Sequence, residues 1–326
     1  MALQIQKQVW KTCKPIFSVL QKKPCTAEAV AENRNFFTFL SRKSSTLKED
    51  RSNKVHLEDK VAVVTGGASG IGYAVANELL KEDVSGTSSV TVIDNNKEKL
   101  QESVRHLGEE HGEDRILPIE ADVSNIEQMD AAFRNTVLHY HTIDIIINNA
   151  GILDDGKWEQ ELKINTHGCV IGTLLGMQYM ARSSSGSGGI IVNVGSLAGL
   201  TPWCGFPIYT MTQFGVVGFT KALGSGRLYE RTGVKVFGYC PCLTKTAMLE
   251  NLAEKSINDN FAAEFVEDTG NMKVQRPEIV AKGLVGTLHE AKPGSIWVAM
   301  EDKEPFEVSM SEMLKKAGQS VDQATR

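Results

Sequence analysis

The chain lacks several things that would otherwise define it. None of its six cysteines (Cys13, Cys25, Cys169, Cys204, Cys240 and Cys242) falls in a C-x-x-C pair or near a histidine at zinc spacing. This excludes a disulfide scaffold or a zinc module and leaves reduced, intracellular thiols acting mostly as small apolar fillers. No metal is expected. No run of 18 apolar residues occurs, so no membrane-spanning helix is expected. There is no internal repeat and no low-complexity block. The net charge is −5 with no basic stripe in the main part of the chain, so nucleic-acid binding has no electrostatic footprint.

Acids are missing from the first 27 residues, and up to Lys48 nine Lys or Arg face only Glu28 and Glu32. Apolar Leu3, Ile5, Val9, Trp10, Phe17, Val19 and Leu20 are interleaved with lysines. Residues 1–55 therefore read as a basic leader with the character of a mitochondrial presequence, although it uses Lys more than Arg. A disordered leader on a cytoplasmic protein is the alternative.

From Lys60 to about residue 300, short apolar β-branched runs alternate with segments of helical spacing. Strands are expected at 61–65, 90–94, 116–120, 143–148, 190–194, 234–239 and 296–298. Helices are expected at 72–81, 97–110, 125–140, 158–181, 207–229 and 277–289, with Ser124 and Glu127 as a capping box for the third. The alternation predicts one α/β domain over residues 56–300, a doubly wound Rossmann-like fold with a seven-stranded parallel sheet. Residues 301–326 read as a charged, irregular tail.

The first strand runs into Gly66, Ser69, Gly70, Ile71 and Gly72, and a helix follows. Strand, glycine turn, helix presents backbone N–H groups and a helix N-terminus to a pyrophosphate. Asp94 stands 22 residues after Gly72, at the end of the second strand. An acid there suits the ribose 2′-hydroxyl of NAD and repels the 2′-phosphate of NADP. The plain alternative is an ordinary glycine turn with a surface Asp.

Further motifs follow in order: Asp122-Val123, Asn148-Asn149-Ala150-Gly151, Asn165 in LKINTHG, Ser196 in IIVNVGSLAGL, Tyr209 in PIYTMTQFGVVGFTKAL, Pro241, and Thr246 in TKTAML. With the glycine turn, these resemble the short-chain dehydrogenase/reductase family over about residues 59–300. The middle stretch, from GIIVNVGSLAGLTP through the Tyr209 helix, most resembles its NAD-dependent branch of 15-hydroxyprostaglandin dehydrogenases and insect-type alcohol dehydrogenases. The resemblance implies hydride transfer between a carbinol carbon and nicotinamide, with NAD as cofactor and no metal. It implies that Tyr209 exchanges the proton, that Ser196 steadies the substrate oxygen and that Asn165 holds a relay water. Asp122, Val123, Asn149, Ala150, Gly151 and Thr246 would join the glycine turn in holding the cofactor. Subunits would pair through the helices at 158–181 and 207–229, as a homodimer or homotetramer, with Leu174, Leu175, Val217 and Phe219 in the contact.

Three residues depart from the family pattern. Gln213 stands four places after Tyr209, where the family carries lysine. Its amide can hydrogen-bond ribose hydroxyls but supplies no charge to lower the phenol's pKa. Lys221 is about 18 Å farther along the helix from Tyr209 and is no substitute. Cys242 replaces the glycine after Pro241 and is expected either to crowd the nicotinamide or to be tolerated as a small residue. Gly195 replaces the first serine of a usual pair. Around the expected substrate mouth, Leu200, Pro202, Trp203, Phe206, Ile208, Met248, Leu249 and Leu252 favour a hydrophobic secondary alcohol or ketone, or simply pack a loop. Two readings stay open: a slow NAD-dependent alcohol dehydrogenase, or a non-catalytic NAD-binding protein or dimer partner of the same fold.

Overall fold

A computed structural model describes residues 57–309 except 83–85, 87 and 271. The basic leader and residues 310–326 lie outside the described residues. The first two strands are β1 (Val61–Thr65) and β2 (Ser89–Asp94), followed by β3 (Ile116–Glu120) and β4 (Ile145–Asn148). The later ones are β5 (Gly189–Val194), β6 (Val234–Pro241), β7 (Ile296–Ala299) and β8 (Phe306–Glu307). They form one sheet in the order β3-β2-β1-β4-β5-β6-β7-β8. Strands β1 to β7 pair in parallel, and only β8 runs antiparallel, with Phe306 opposite Val298. Parallel strands covered on both faces need continuous apolar runs, and β1 and β4 are buried at every position.

The eighth strand corrects the reading of the tail as irregular from residue 301. Phe306 and Val308 are 2% and 4% exposed and pack beside Val298. Two buried apolar residues outweigh their charged neighbours and turn the chain back onto the sheet edge.

Helices α1 (Gly70–Glu82), α2 (Lys97–His111) and α3 (Ile126–Tyr140) connect the first four strands. Asn125 caps α3, its side chain accepting from the Gln128 backbone N–H at 3.0 Å, whereas Ser124 donates to Asp122 Oδ1 at 2.8 Å. The expected Ser124–Glu127 box is therefore not the cap. Asn, like Ser, is a strong N-cap, and here it stands one residue closer to the first turn.

The long helix expected at 158–181 is three pieces: α4 (Trp158–Leu162), a π-helical segment at Lys163–Gly168, and α5 (Cys169–Met180). The helix expected at 207–229 stops as α6 (Pro207–Leu223) and resumes as α7 (Gly226–Thr232). Gly224 explains the break, since a Cβ there would lie 2.2 Å from the Gly294 backbone nitrogen. Helices α8 (Leu252–Lys255), α9 (Asp259–Thr269) and α10 (Pro277–Glu290) complete the chain, and α10 packs on α1 across one sheet face. The other face is covered by α3 and α5.

Candidate functional site: a dinucleotide groove ending at Tyr209

The sheet order reverses between β1 and β4, so the crevice beyond their carboxyl ends is the place where such folds bind ligands. An open groove of about 470 Å³ lies there, lined by Gly66, Ser69, Gly70, Ile71, Asp94, Asp122, Val123, Asn149, Ala150, Gly151 and Thr246. Gly70 has φ +55°, a conformation that side chains resist. A Cβ on Gly72 would lie 2.1 Å from the Gly66 carbonyl oxygen, so only glycine lets α1 begin this close to the turn. The Asp94 carboxylate accepts from Ala68 N at 3.2 Å and Asn96 N at 2.9 Å, which ties the end of β2 to the glycine turn. Asn149 donates from its side chain to Thr65 O at 3.0 Å and Gly66 O at 3.3 Å. The Thr65 hydroxyl accepts from the Asn149 and Ala150 backbone at 3.0 and 3.1 Å. Thr65 was not among the expected site residues, because inside VAVVT it reads as one more β-branched strand residue.

The groove narrows into an inner cavity of about 100 Å³, lined among others by Ser196, Tyr209, Asn165, Gln213, Trp203 and Cys242. Ser196 lies two residues beyond the end of β5 and caps a short 3-10 turn at Leu197–Gly199, and Tyr209 lies in the first turn of α6. Ser196 and Tyr209 both line this cavity. Asn165 sits in the π-helical segment, accepting from Ile152 N at 2.8 Å and donating to Ile152 O at 2.8 Å, so a side chain takes the place of a strand partner. Its amide also donates to Thr212 Oγ1 at 3.1 Å, and the Gln213 amide reaches the same oxygen at 3.3 Å. Tyr209, Ser196, Asn165 and Gln213 thus meet in one place, as the sequence spacing predicts.

The model of the family described as short chain dehydrogenase matches residues 60–257. Human 15-hydroxyprostaglandin dehydrogenase [NAD(+)] is 35% identical over 240 residues, covering 72% of this chain and 88% of that protein. Alcohol dehydrogenase 1 of Ceratitis capitata is 31% identical over 243 residues, 74% of this chain and 92% of that one. Among solved structures, levodione reductase superposes with a TM-score of 0.65 at 24% identity, over 75% of this chain and 97% of its own, a likeness of fold. The chain belongs to the short-chain dehydrogenase family.

In this short-chain dehydrogenase the charge balance of the site is set by burial and by the residues that line the cavity. Burial pushes the Tyr209 phenol up to about 12; the Ser196 hydrogen bond pulls the other way, and Glu161 and Cys240 push it further up. Among the residues lining the inner cavity, none is Lys, Arg or His. Lys221 is exposed. Among the described residues, no cation therefore lines the cavity where the family resemblance leads one to expect a lysine.

Cys242 lines the cavity, but its thiol is directed to Met272 Sδ at 3.7 Å and packs in the apolar cluster beneath. That geometry fits the tolerated small residue better than a plug in the nicotinamide site. Gly195 faces Cys240 Sγ, which a Cβ would approach to 3.3 Å, so a serine there would be tight. Of the expected mouth residues, Trp203, Met248 and Leu249 line the cavity. Phe206 does not: it is 0% exposed, with its ring against Phe265 at 5.0 Å. Leu200 is likewise buried in that cluster.

Two acids behind Tyr209 were not legible in the sequence. Asp155 accepts from Ile208 N and Tyr209 N, both at 2.9 Å, and so holds the first turn of α6. Glu161 is 0% exposed, accepts from Asp154 N at 3.0 Å and is hydrogen-bonded to Asp155. Burial raises both carboxyls, Glu161 to about 8 with the neighbouring Asp155 charge adding to the rise. One proton is therefore kept between them near neutral pH, with Glu161 the donor. Among the described residues no group of three His, Cys, Asp or Glu could hold a metal, and no helix is long and apolar enough to cross a membrane.

Proposed function

We propose that the protein is an NAD-dependent oxidoreductase that interconverts a hydrophobic secondary alcohol and its ketone, slowed by Gln213. The observation that carries this reading is the Ser196–Tyr209 hydroxyl pair at the inner end of a groove built for a dinucleotide. The groove fits NAD: glycine lets backbone N–H groups approach a pyrophosphate, and Asp94 stands where an adenosine ribose would hydrogen-bond. The 15-hydroxyprostaglandin dehydrogenase relatives are named for NAD(+), which agrees with that acid. Bound NAD supplies the hydride acceptor. The chain's own residues do the rest. Ser196 orients the substrate oxygen, Tyr209 holds the exchanging proton at its phenol oxygen, and Asn165 with Thr212 fixes the helix turn beneath them.

A phenol with a pKa of about 12 is ionised in only about one molecule in 100,000 at pH 7, which limits it as a base. Gln213 and the cation-free cavity also favour a second reading, an NAD-binding protein with no turnover. The decisive experiment assays residues 55–326 with NAD and a panel of hydrophobic secondary alcohols, beside an NADH titration. Slow NADH formation that Tyr209→Phe abolishes supports the enzyme. Tight NADH binding with no turnover on any alcohol supports the second reading.

The basic leader is further proposed to be a mitochondrial presequence. A fusion of residues 1–55 to a fluorescent protein should enter mitochondria and be shortened there; a diffuse signal at full length would reject this.

A further inference from the structure

Thr212 lies in α6 between Tyr209 and Gln213 and is 0% exposed. Its hydroxyl stands 2.7 Å from the Tyr209 carbonyl oxygen, 3.1 Å from the Asn165 amide nitrogen and 3.3 Å from the Gln213 side chain. A carbonyl oxygen carries no proton, so the single hydroxyl proton of Thr212 lies in the short bond to Tyr209 O. The threonine oxygen then has only acceptor sites left, and the Gln213 group that faces it is the NH2. This fixes the amide: Nε2 is held by Thr212, and Oε1 is left without a partner among the described residues. That oxygen is nonetheless not sealed from solvent; the sealed unpaired atoms are Asn148 Oδ1, Glu161 Oε2 and Trp203 Nε1. Gln213 lines the inner cavity together with Gly195 and Ser196, and a Cβ on Gly195 would lie 3.7 Å from Gln213 Oε1. The departures from the family pattern at residues 195 and 213 therefore lie side by side, next to an open acceptor.

We infer that Thr212 is a positioning residue that turns the Gln213 amide so that its carbonyl accepts a hydrogen bond from a hydroxyl of the nicotinamide ribose. This rests on the reading of the groove as an NAD site. A ribose joins the pyrophosphate of NAD to its nicotinamide and carries two hydroxyl donors. Gln213 shares its cavity with Ser196 and Tyr209, where that half of the cofactor comes for hydride transfer. A lysine at this position could only donate to the ribose. Gln213, held as it is, offers an acceptor instead, so the hydrogen bond runs in the opposite direction and brings no charge. The site thereby keeps a grip on the cofactor without the cation that would make the phenol more acidic.

Calorimetric titrations of the full chain test this with two ligands: NADH, and ADP, which has the adenosine half but no nicotinamide ribose. Gln213→Met keeps the length of the side chain and removes both of its hydrogen-bonding groups. It should weaken NADH about fivefold, as one net hydrogen bond implies, and leave ADP unchanged. Thr212→Val keeps the shape and removes the hydroxyl. It should weaken NADH by a similar factor and add nothing in the Gln213→Met background. Thr212→Ser, which restores the hydroxyl, should bind NADH as the unmodified protein does. A threonine with a merely structural role would weaken both ligands, with Gln213 or without it. Unchanged NADH affinity in Gln213→Met, which leaves Thr212 in place, would overturn the proposal. So would a Thr212→Val loss that extends to ADP or adds in full to that of Gln213→Met. No NADH binding by the unmodified protein would overturn the NAD reading as well.

Discussion

At the scale of single residues, the site is defined by what Asp94, Tyr209 and Gln213 can and cannot do. Asp94 spends its carboxylate on the backbone N–H of Ala68 in the glycine turn and on that of Asn96 after β2, while lining the groove. It therefore serves as a brace, and we propose that it is also the group that repels a 2′-phosphate. NADH should bind more tightly than NADPH, and Asp94→Ala should narrow that gap by roughly tenfold, the effect of removing about 1.4 kcal/mol of discrimination. Equal affinities in the unmodified protein, measured by cofactor fluorescence, would sink the assignment. Most of these residues were legible because their spacing is dictated by main-chain geometry: glycines where the backbone must approach, an acid at the end of the second strand. Thr65 and Thr212 were not legible in their roles. A strand threonine and a helix threonine look the same in sequence whatever their hydroxyls hold.

At the scale of elements, the strands were the easiest to read and the helices' interruptions the hardest. Apolar and β-branched residues mark β1 to β7, while β8 was hidden by the acids and Lys303 around Phe306. The π-helical turn at Asn165 and the break at Gly224 come from contacts between distant segments, which periodicity does not carry. The same holds for Asp155 and Glu161. Nothing in DDGKWEQE sets them apart from Asp154 and Glu159, yet the fold buries both, and the Asp155 carboxylate meets the unpaired N–H groups at the N-terminus of α6. The pH dependence follows from the Glu161 shift. In the unfolded chain Glu161 ionises in the ordinary carboxylate range, but in the folded chain only at about 8. Its contribution to stability is thus fully present below that ordinary range and is lost as pH rises toward 8. Glu161→Gln keeps a donor for Asp155 and cannot ionise. Its thermal midpoint should match the unmodified protein near pH 4.5 and exceed it by at least about 3 °C near pH 9. Parallel midpoint curves across that range would reject a proton held between the two carboxyls.

At the scale of the whole molecule, the surface of α5 and α6 leaves apolar side chains in water. Leu174, Met211 and Phe214 are 53%, 54% and 42% exposed, whereas Leu175 and Val217 are buried in the subunit's own core. Leu175 and Val217 are therefore core residues, contrary to expectation, and we propose that Leu174, Met211 and Phe214 form a subunit contact. Gly215 and Gly218 on α6 are exposed as well, with space around them for a partner's approach. A homodimer or homotetramer is the expected state, and Phe214→Glu should dissociate it. A monomer by light scattering at micromolar concentration in the unmodified protein would refute that.

The central proposal joins all three scales: a dinucleotide groove leads to Ser196 and Tyr209 in a cavity with no cation among its lining residues, and we propose that this slows turnover. The most direct measurement is the pH dependence of kcat for the unmodified protein and for Gln213→Lys, with NAD and a hydrophobic secondary alcohol. An ammonium at that position should lower the phenol's pKa by about two to three units, so kcat at pH 7 should rise roughly ten- to a thousandfold. The alkaline limb of the profile should move to lower pH by a comparable amount, and Tyr209→Phe in the same background should abolish the gain. A Gln213→Lys variant that binds NADH yet gains no activity, or an unmodified protein whose rate and pH profile the substitution leaves unchanged, would contradict the account.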